Sequence, residues 1–164
     1  MPPEVSERGL AEGFVSLGWR EMGDHRGLPS EDRAMLGLVA ARYPSASPGA
    51  HRVWATVLRR FVHEVAPGDR VVHPSKQDRR VNFGLVAGPL EHHPGPGPKA
   101  LIARRPVRWL AHIPRDDLPE IARNALMAAM TLFAVRPGIG ALERPFRDAD
   151  VANRPPSRGR DVLS

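Results

Sequence analysis

Two tryptophans, Trp19 and Trp109, lie at or near the ends of apolar runs, and Ser16, His73, Ser75 and Asn82 supply short polar side chains around them. Indole faces stack on planar heterocycles, and hydroxyl, imidazole and amide groups can satisfy the polar edge of such a ring. Basic side chains form two further groups: Lys76, Arg79 and Arg80 within one polar turn, and Arg104, Arg105 and Arg108 along a later run. A guanidinium fork fits a phosphate bidentately, so aromatic faces together with cationic forks suit a nucleobase and its phosphodiester backbone. Each feature also has a plainer reading. Tryptophans commonly fill cores or hinges, charge runs commonly coat a solvated face, and His73 is as readily a hydrogen-bonded structural histidine. Trp54, inside a helical apolar stripe, reads as core.

Residues for reaction chemistry are sparse. There are no cysteines, which removes disulfides and thiolate metal sites. Glu91-His92-His93 has metal-ligating residue types, but adjacent histidines on an extended chain point to opposite faces and no third ligand is apparent. His63-Glu64 lacks a second histidine one helical turn on, so it is not a metalloprotease pair. Neither a Gly-rich phosphate loop nor a nucleophile elbow occurs. A lysine–carboxylate pair would need Lys76, with Glu91 or Asp69 as its partner. The expectation is a binding protein with no catalytic residues, no metal and no cofactor.

The elements that must position these groups read as a mixed fold. The 164 residues fit one domain, and 41% hydrophobic content is ordinary for a globular protein. Net charge is +6, and all basic residues except Lys76 and Lys99 are arginine. That bias reads as phosphate affinity or, equally, as the codon usage of a GC-rich genome. No run approaches the roughly 20 apolar residues that cross a bilayer, and the first residues lack a signal-peptide pattern. A cytoplasmic location is the expectation.

Residues 1–12 read as a flexible lead-in, 13–137 as the domain and 138–164 as a mobile tail. Phe14 to Trp19 reads as a strand and Arg20 to Pro29 as a loop. One helix follows from an N-cap at Ser30 to Tyr43, and a second from about His51 to Val65. Pro67-Gly68-Asp69 is a turn. Strands are expected at Val71–Pro74, Val81–Ala87, Pro106–Ile113 and Thr131–Val135, with a long loop from Gly88 to Pro98. Val81, Phe83 and Leu85 share the core face. Asp116 or Asp117 caps a third helix. About five strands with two or three helices make an α+β fold, enough for a small closed or partly open barrel.

Five ordered segments resemble a known group. They are Gly18-Trp19 followed by Gly23-Asp24; Phe61; Pro67-Gly68-Asp69-Arg70-Val71-Val72-His73-Pro74-Ser75; Gly84-Leu85-Val86-Ala87-Gly88; and Val107-Arg108-Trp109-Leu110, closed by Ile113-Pro114-Arg115. Over roughly residues 12–136 their order and spacing resemble the PUA-like domain at the N-terminus of bacterial Mrr-type restriction endonucleases, similar in layout to EVE and YTH domains. The resemblance implies a PUA-like pseudo β-barrel with flanking helices, a groove that contacts nucleic acid, and an aromatic pocket for a modified base. In restriction systems the implied target is methylated DNA. Leu90 and His92 stand where relatives often place tyrosines, and no Asp…Glu-x-Lys nuclease motif follows. The function expected is a stand-alone DNA-binding module that reads a modified base. 5-Methylcytosine is named by the resemblance alone, with DNA preferred over RNA and no membrane partner. The other readings are RNA binding, an ASCH-like modified-nucleoside hydrolase, and a protein-interaction subunit of a defence system.

Overall fold

In the computed structural model, which describes residues 3–75, 77–94, 102–127, 132–133 and 144–148, an open, curled antiparallel sheet carries helices outside it. The sheet forms a half-barrel, consistent with a pseudo β-barrel of α+β class. The elements in chain order are α1 (Pro3–Glu12), β1 (Phe14–Leu17), α2 (Asp32–Arg42), α3 (Pro48–Arg59), β2 (Arg70–Pro74), β3 (Arg80–Val86), β4 (Glu91–His92), β5 (Ala103–Pro114), α4 (Glu120–Met127) and β6 (Leu132–Phe133). Strand order is β1-β5-β3-β2-β6, with β4 also paired to β5. β5 is the spine. Its first residues meet β1 and β4 (Ala103 opposite both Leu17 and His92), and its later residues meet β3 from Val107↔Val86 to Pro114↔Arg80.

Period-two alternation sends side chains to two cores. On one face Val72, Val81 and Phe83 pack with Leu118 and Ala122 of the α4 region and with Phe146 from a helical turn at 144–148. On the other, Val15, Val71, Val86, Ala103 and Val107 pack on Phe61 and Val65. A third core lies between α2 and α3, where Met35, Val39, Ala55 and Leu58 enclose Met22 and Leu28. No helix among the described residues is long and apolar enough to cross a membrane.

α3 begins where the sequence permits it. Ser47 accepts the Ala50 N–H at 3.1 Å, and Pro48 sits in the first turn, where no amide donor is missed. The helix then widens into a π turn, Arg60–Glu64, which carries Phe61 into the barrel core. Arg105 reaches this turn from β5 and donates to the Phe61 and Val62 carbonyls at 2.8 and 2.9 Å.

Gly84 sits at a register shift against β5, and only a bare backbone fits there. A Cβ would lie 2.6 Å from Val107 Cγ1 and 2.9 Å from both the Arg108 carbonyl and Trp109 Cε3.

Three segments differ from expectation, among them 144–148 of the stretch read as a mobile tail, which is helical and buries Phe146 against Phe83 in the sheet core. Residues read as a flexible lead-in form α1, which ends at Gly13 (φ 79) and ties to β5 through Val107 N–H donating to the Gly13 carbonyl at 2.9 Å. A ten-residue helix containing Gly9 has little stability of its own, so its packing on β1 decides its state. The proline-rich loop also contributes β4, a two-residue strand that pairs with the start of the next strand, Glu91 opposite Arg104 and His92 opposite Ala103.

Candidate nucleic-acid interface

Trp19 follows β1 directly. Its backbone lies in the left-handed region at φ 58, ψ 57, where Cβ crowds the following carbonyl. Several side chains hold the loop around it. His25 is almost fully buried, and its Nδ1 and Nε2 lie 2.9 Å from the carbonyls of Gly23 and Gly18, drawing the two ends of the turn together. A neutral imidazole carries one N–H, so it donates to one of these carbonyls at a time. Burial pushes the His25 pKa down, against the pull of the two carbonyls. His63 contacts the Leu28 carbonyl at 2.8 Å, and Tyr43 donates its hydroxyl to Glu21 Oε2 at 2.8 Å. Burial, with the Glu21 carboxylate beside it, pushes the Tyr43 hydroxyl pKa up. Asp24 caps the next turn by accepting the Arg26 N–H at 3.0 Å and pairs with the Arg26 guanidinium at 2.6 Å. That hydrogen bonding holds the Asp24 carboxyl well below the usual range.

The Trp19 ring lies 6.1 Å from that of Trp54 at 52°, and Tyr43 meets Trp54 edge-on at 5.5 Å and 81°. All three rings are half-buried, and the Trp19 indole N–H has no partner among the described residues. The arrangement is a partly open aromatic surface beside a carboxylate, with Arg20 exposed next to it. Trp54, read as core, packs against the α2–α3 core and also adds its half-buried ring to this surface.

The other expected pocket residues divide. His73, Asn82 and Trp109 come together: His73 and Asn82 are paired across β2 and β3, Asn82 donates to the His73 carbonyl at 3.2 Å, and the His73 and Trp109 rings are 6.3 Å apart. Ser75 follows β2, is buried, and hydrogen-bonds Asp78. His73 is 3% exposed, and burial holds its pKa down at about 4. Trp109 lies over Gly84 and donates its indole N–H to the Gly9 carbonyl of α1 at 3.0 Å.

The two tryptophans are not neighbours. Leu17, just before the Trp19 turn, pairs with Ala103; Trp109 is six residues further along β5, about 20 Å of strand at the usual rise. Trp19 packs with the α2–α3 core and Trp109 with the barrel core. Ser16, buried on β1 opposite Arg104, belongs to neither aromatic group.

The expected phosphate contacts also redistribute. Arg105 is 4% exposed and committed to helix-end carbonyls. Arg104 lies over the Phe14 ring at 4.6 Å. Arg79 pairs with Asp116 at 3.0 Å and Arg80 with Asp78 at 3.9 Å. Arg108 is exposed, and Lys76 lies outside the described residues. His92 turns toward Asp24, with Nδ1 at 3.8 Å from Oδ1, while His93 meets Glu91 at 3.1 Å, so the two histidines serve different neighbours.

A family model matches residues 2–136, from α1 to just beyond β6. The chain belongs to that family, a domain of unknown function (DUF8426). The match contains both tryptophan groups and stops short of Phe146. No curated protein and no solved structure matches the chain.

Proposed function

We propose that this protein is a PUA-like DNA-binding module that reads a modified base, and that the base stacks on Trp19. One observation carries the reading: a tryptophan held at φ 58 by a loop stapled at His25, His63 and Tyr43. A left-handed backbone costs a non-glycine residue about 1–2 kcal/mol. Such strain persists only where the surroundings over-determine it, and it gathers at ligand sites. The half-barrel suits the PUA-like resemblance, and the Gly18-Trp19 and Gly23-Asp24 segments that carry the resemblance are the ones that build this loop. A base leaving the duplex loses its stacking partners, and an indole with two further rings behind it restores part of that loss. 5-Methylcytosine comes from the resemblance, and a cytoplasmic location accompanies it.

The test is fluorescence anisotropy with matched methylated and unmethylated duplexes. The wild-type protein should prefer the methylated duplex. Trp19→Ala should bind it about tenfold or more weakly, given the worth of one stacked base, and should lose the preference. Equal wild-type affinities for the two duplexes would sink the reading.

A further inference from the structure

The arginines that sequence reasoning assigned to phosphates lie on the sheet, and most of them are engaged within the fold. The α2–α3 hairpin holds a different arrangement. Asp32 and Leu36 of α2, Arg52, Ala55, Thr56 and Arg59 of α3, and Arg60 just beyond it line a cavity of about 350 Å³. Arg52, Thr56, Arg59 and Arg60 fall at helical spacing along one face. We infer that this groove is a phosphodiester-binding site, and that the DNA whose base reaches Trp19 lays its backbone along it; the inference rests on the DNA-binding reading above.

Three observations support the assignment. First, the charge is only partly compensated. Arg59 is half-buried at the groove floor, pinned between Asp32 and Glu64, and Arg60 lies 3.8 Å from Glu64. Arg52 is exposed and has no acidic partner among the described residues, so the groove stays cationic after both carboxylates are counted. On the sheet, Arg79 and Arg80 each have a carboxylate of their own.

Second, the dimensions match. Arg52 to Arg59 spans about 10.5 Å of helix, and B-DNA places a phosphate on each strand every 3.4 Å or so of axis, so the stripe covers about three nucleotides. Arg59, with its Nε and one terminal nitrogen on carboxylates, is fixed in place and has its other terminal nitrogen left for an anion. Thr56, whose hydroxyl now donates to the Arg52 carbonyl at 3.0 Å, can turn toward an anion between the arginines.

Third, the groove is coupled to the aromatic site. α3 carries the arginine stripe on one face and, about 200° round from Arg52, Trp54, the ring against which Trp19 packs. One rigid helix therefore fixes the phosphate contacts relative to the stacking surface.

The experiment measures duplex affinity against salt concentration for the full chain, with the thermal midpoint of each variant as a folding check. Arg52→Ala/Arg60→Ala should lower the slope of log affinity against log salt by about two. Arg79→Ala/Arg80→Ala should leave it unchanged. If the double variant loses its fold, Arg52→Gln alone should lower the slope by about one. An unchanged slope in a folded groove variant overturns the inference, and a methyl preference kept alongside it leaves the reader function standing. A reduced slope without any methyl preference supports the groove and overturns the reader. Absence of duplex binding by the wild-type protein at low salt overturns both.

Discussion

One tryptophan follows β1 beside the start of β5 and another lies midway along β5, and the fold uses them in opposite ways. Midway along the strand Trp109 spreads over the bare backbone at Gly84, and α1 consumes its indole N–H through the Gly9 carbonyl. Beside the start, Trp19 is held by contacts to its own loop's backbone, while its N–H meets no partner among the described residues and its ring stays half-exposed. A tryptophan whose polar atom is satisfied inside the fold is a structural part. One that is clamped through its main chain, at a conformational cost, keeps its ring for something else. On the proposed function the pair separates architecture from recognition, although the two residues look alike in the sequence.

The largest expected effect falls on the architectural tryptophan. Gly84→Val would drive its side chain into Val107 and the β5 backbone, and should cost about 3 kcal/mol by urea unfolding, the upper part of the usual overpacking range. A cost near zero would mean that Trp109 does not rest on β3.

Next comes acid. His73 is buried neutral, with its pKa at about 4, while the unfolded chain takes up a proton near the ordinary value of about 6.5. Its contribution is therefore intact above the unfolded value and is lost as pH falls toward the folded one. By pH 5 the loss should reach about 2 kcal/mol. His25, pushed in the same direction, adds to the effect. Urea midpoints at pH 7 and 5 measure it, and His73→Leu should flatten the profile. An unaltered profile in that variant would assign the acid sensitivity to His25 and the Trp19 turn.

The smallest effect sharpens the contrast most. Trp109→Phe keeps an aromatic ring but removes one of the two hydrogen bonds to the Gly9 carbonyl, which keeps the Gly13 N–H at 2.9 Å, at a cost of about 1 kcal/mol. It should speed hydrogen exchange in α1 and leave DNA affinity unchanged. Loss of the methyl preference in this variant would move the base pocket to Trp109.

Much of the barrel was legible. Val81, Phe83 and Leu85 alternate in the sequence and do share a face, because period-two geometry is local. The α2 and α3 stripes were readable for the same reason, with the helical period in place of the strand's. Less local features were not. Nothing in the chain around Arg105 shows that it caps a π turn 43 or 44 residues away, and nothing near His25 shows that its ring closes the turn before it. α1 read as a lead-in because its composition is weakly apolar. Its order comes from Gly13, β1 and Trp109 together, not from the helix itself.

The sequence by itself determined the strand and helix periods, the Gly-Trp and Gly-Asp turn, the bare position at Gly84 and the supply of aromatic and cationic side chains. These depend on neighbours a few residues apart, where backbone sterics and side-chain spacing decide the outcome. Only the tertiary structure decided that Trp19 lies beside the start of β5 and Trp109 midway along it, that the sheet arginines are largely engaged within the fold, and that Arg52, Arg59 and Arg60 line a groove. Whether an arginine meets an acid, a carbonyl or solvent depends on partners tens of residues away, and only the packed sheet and helices bring those partners within reach.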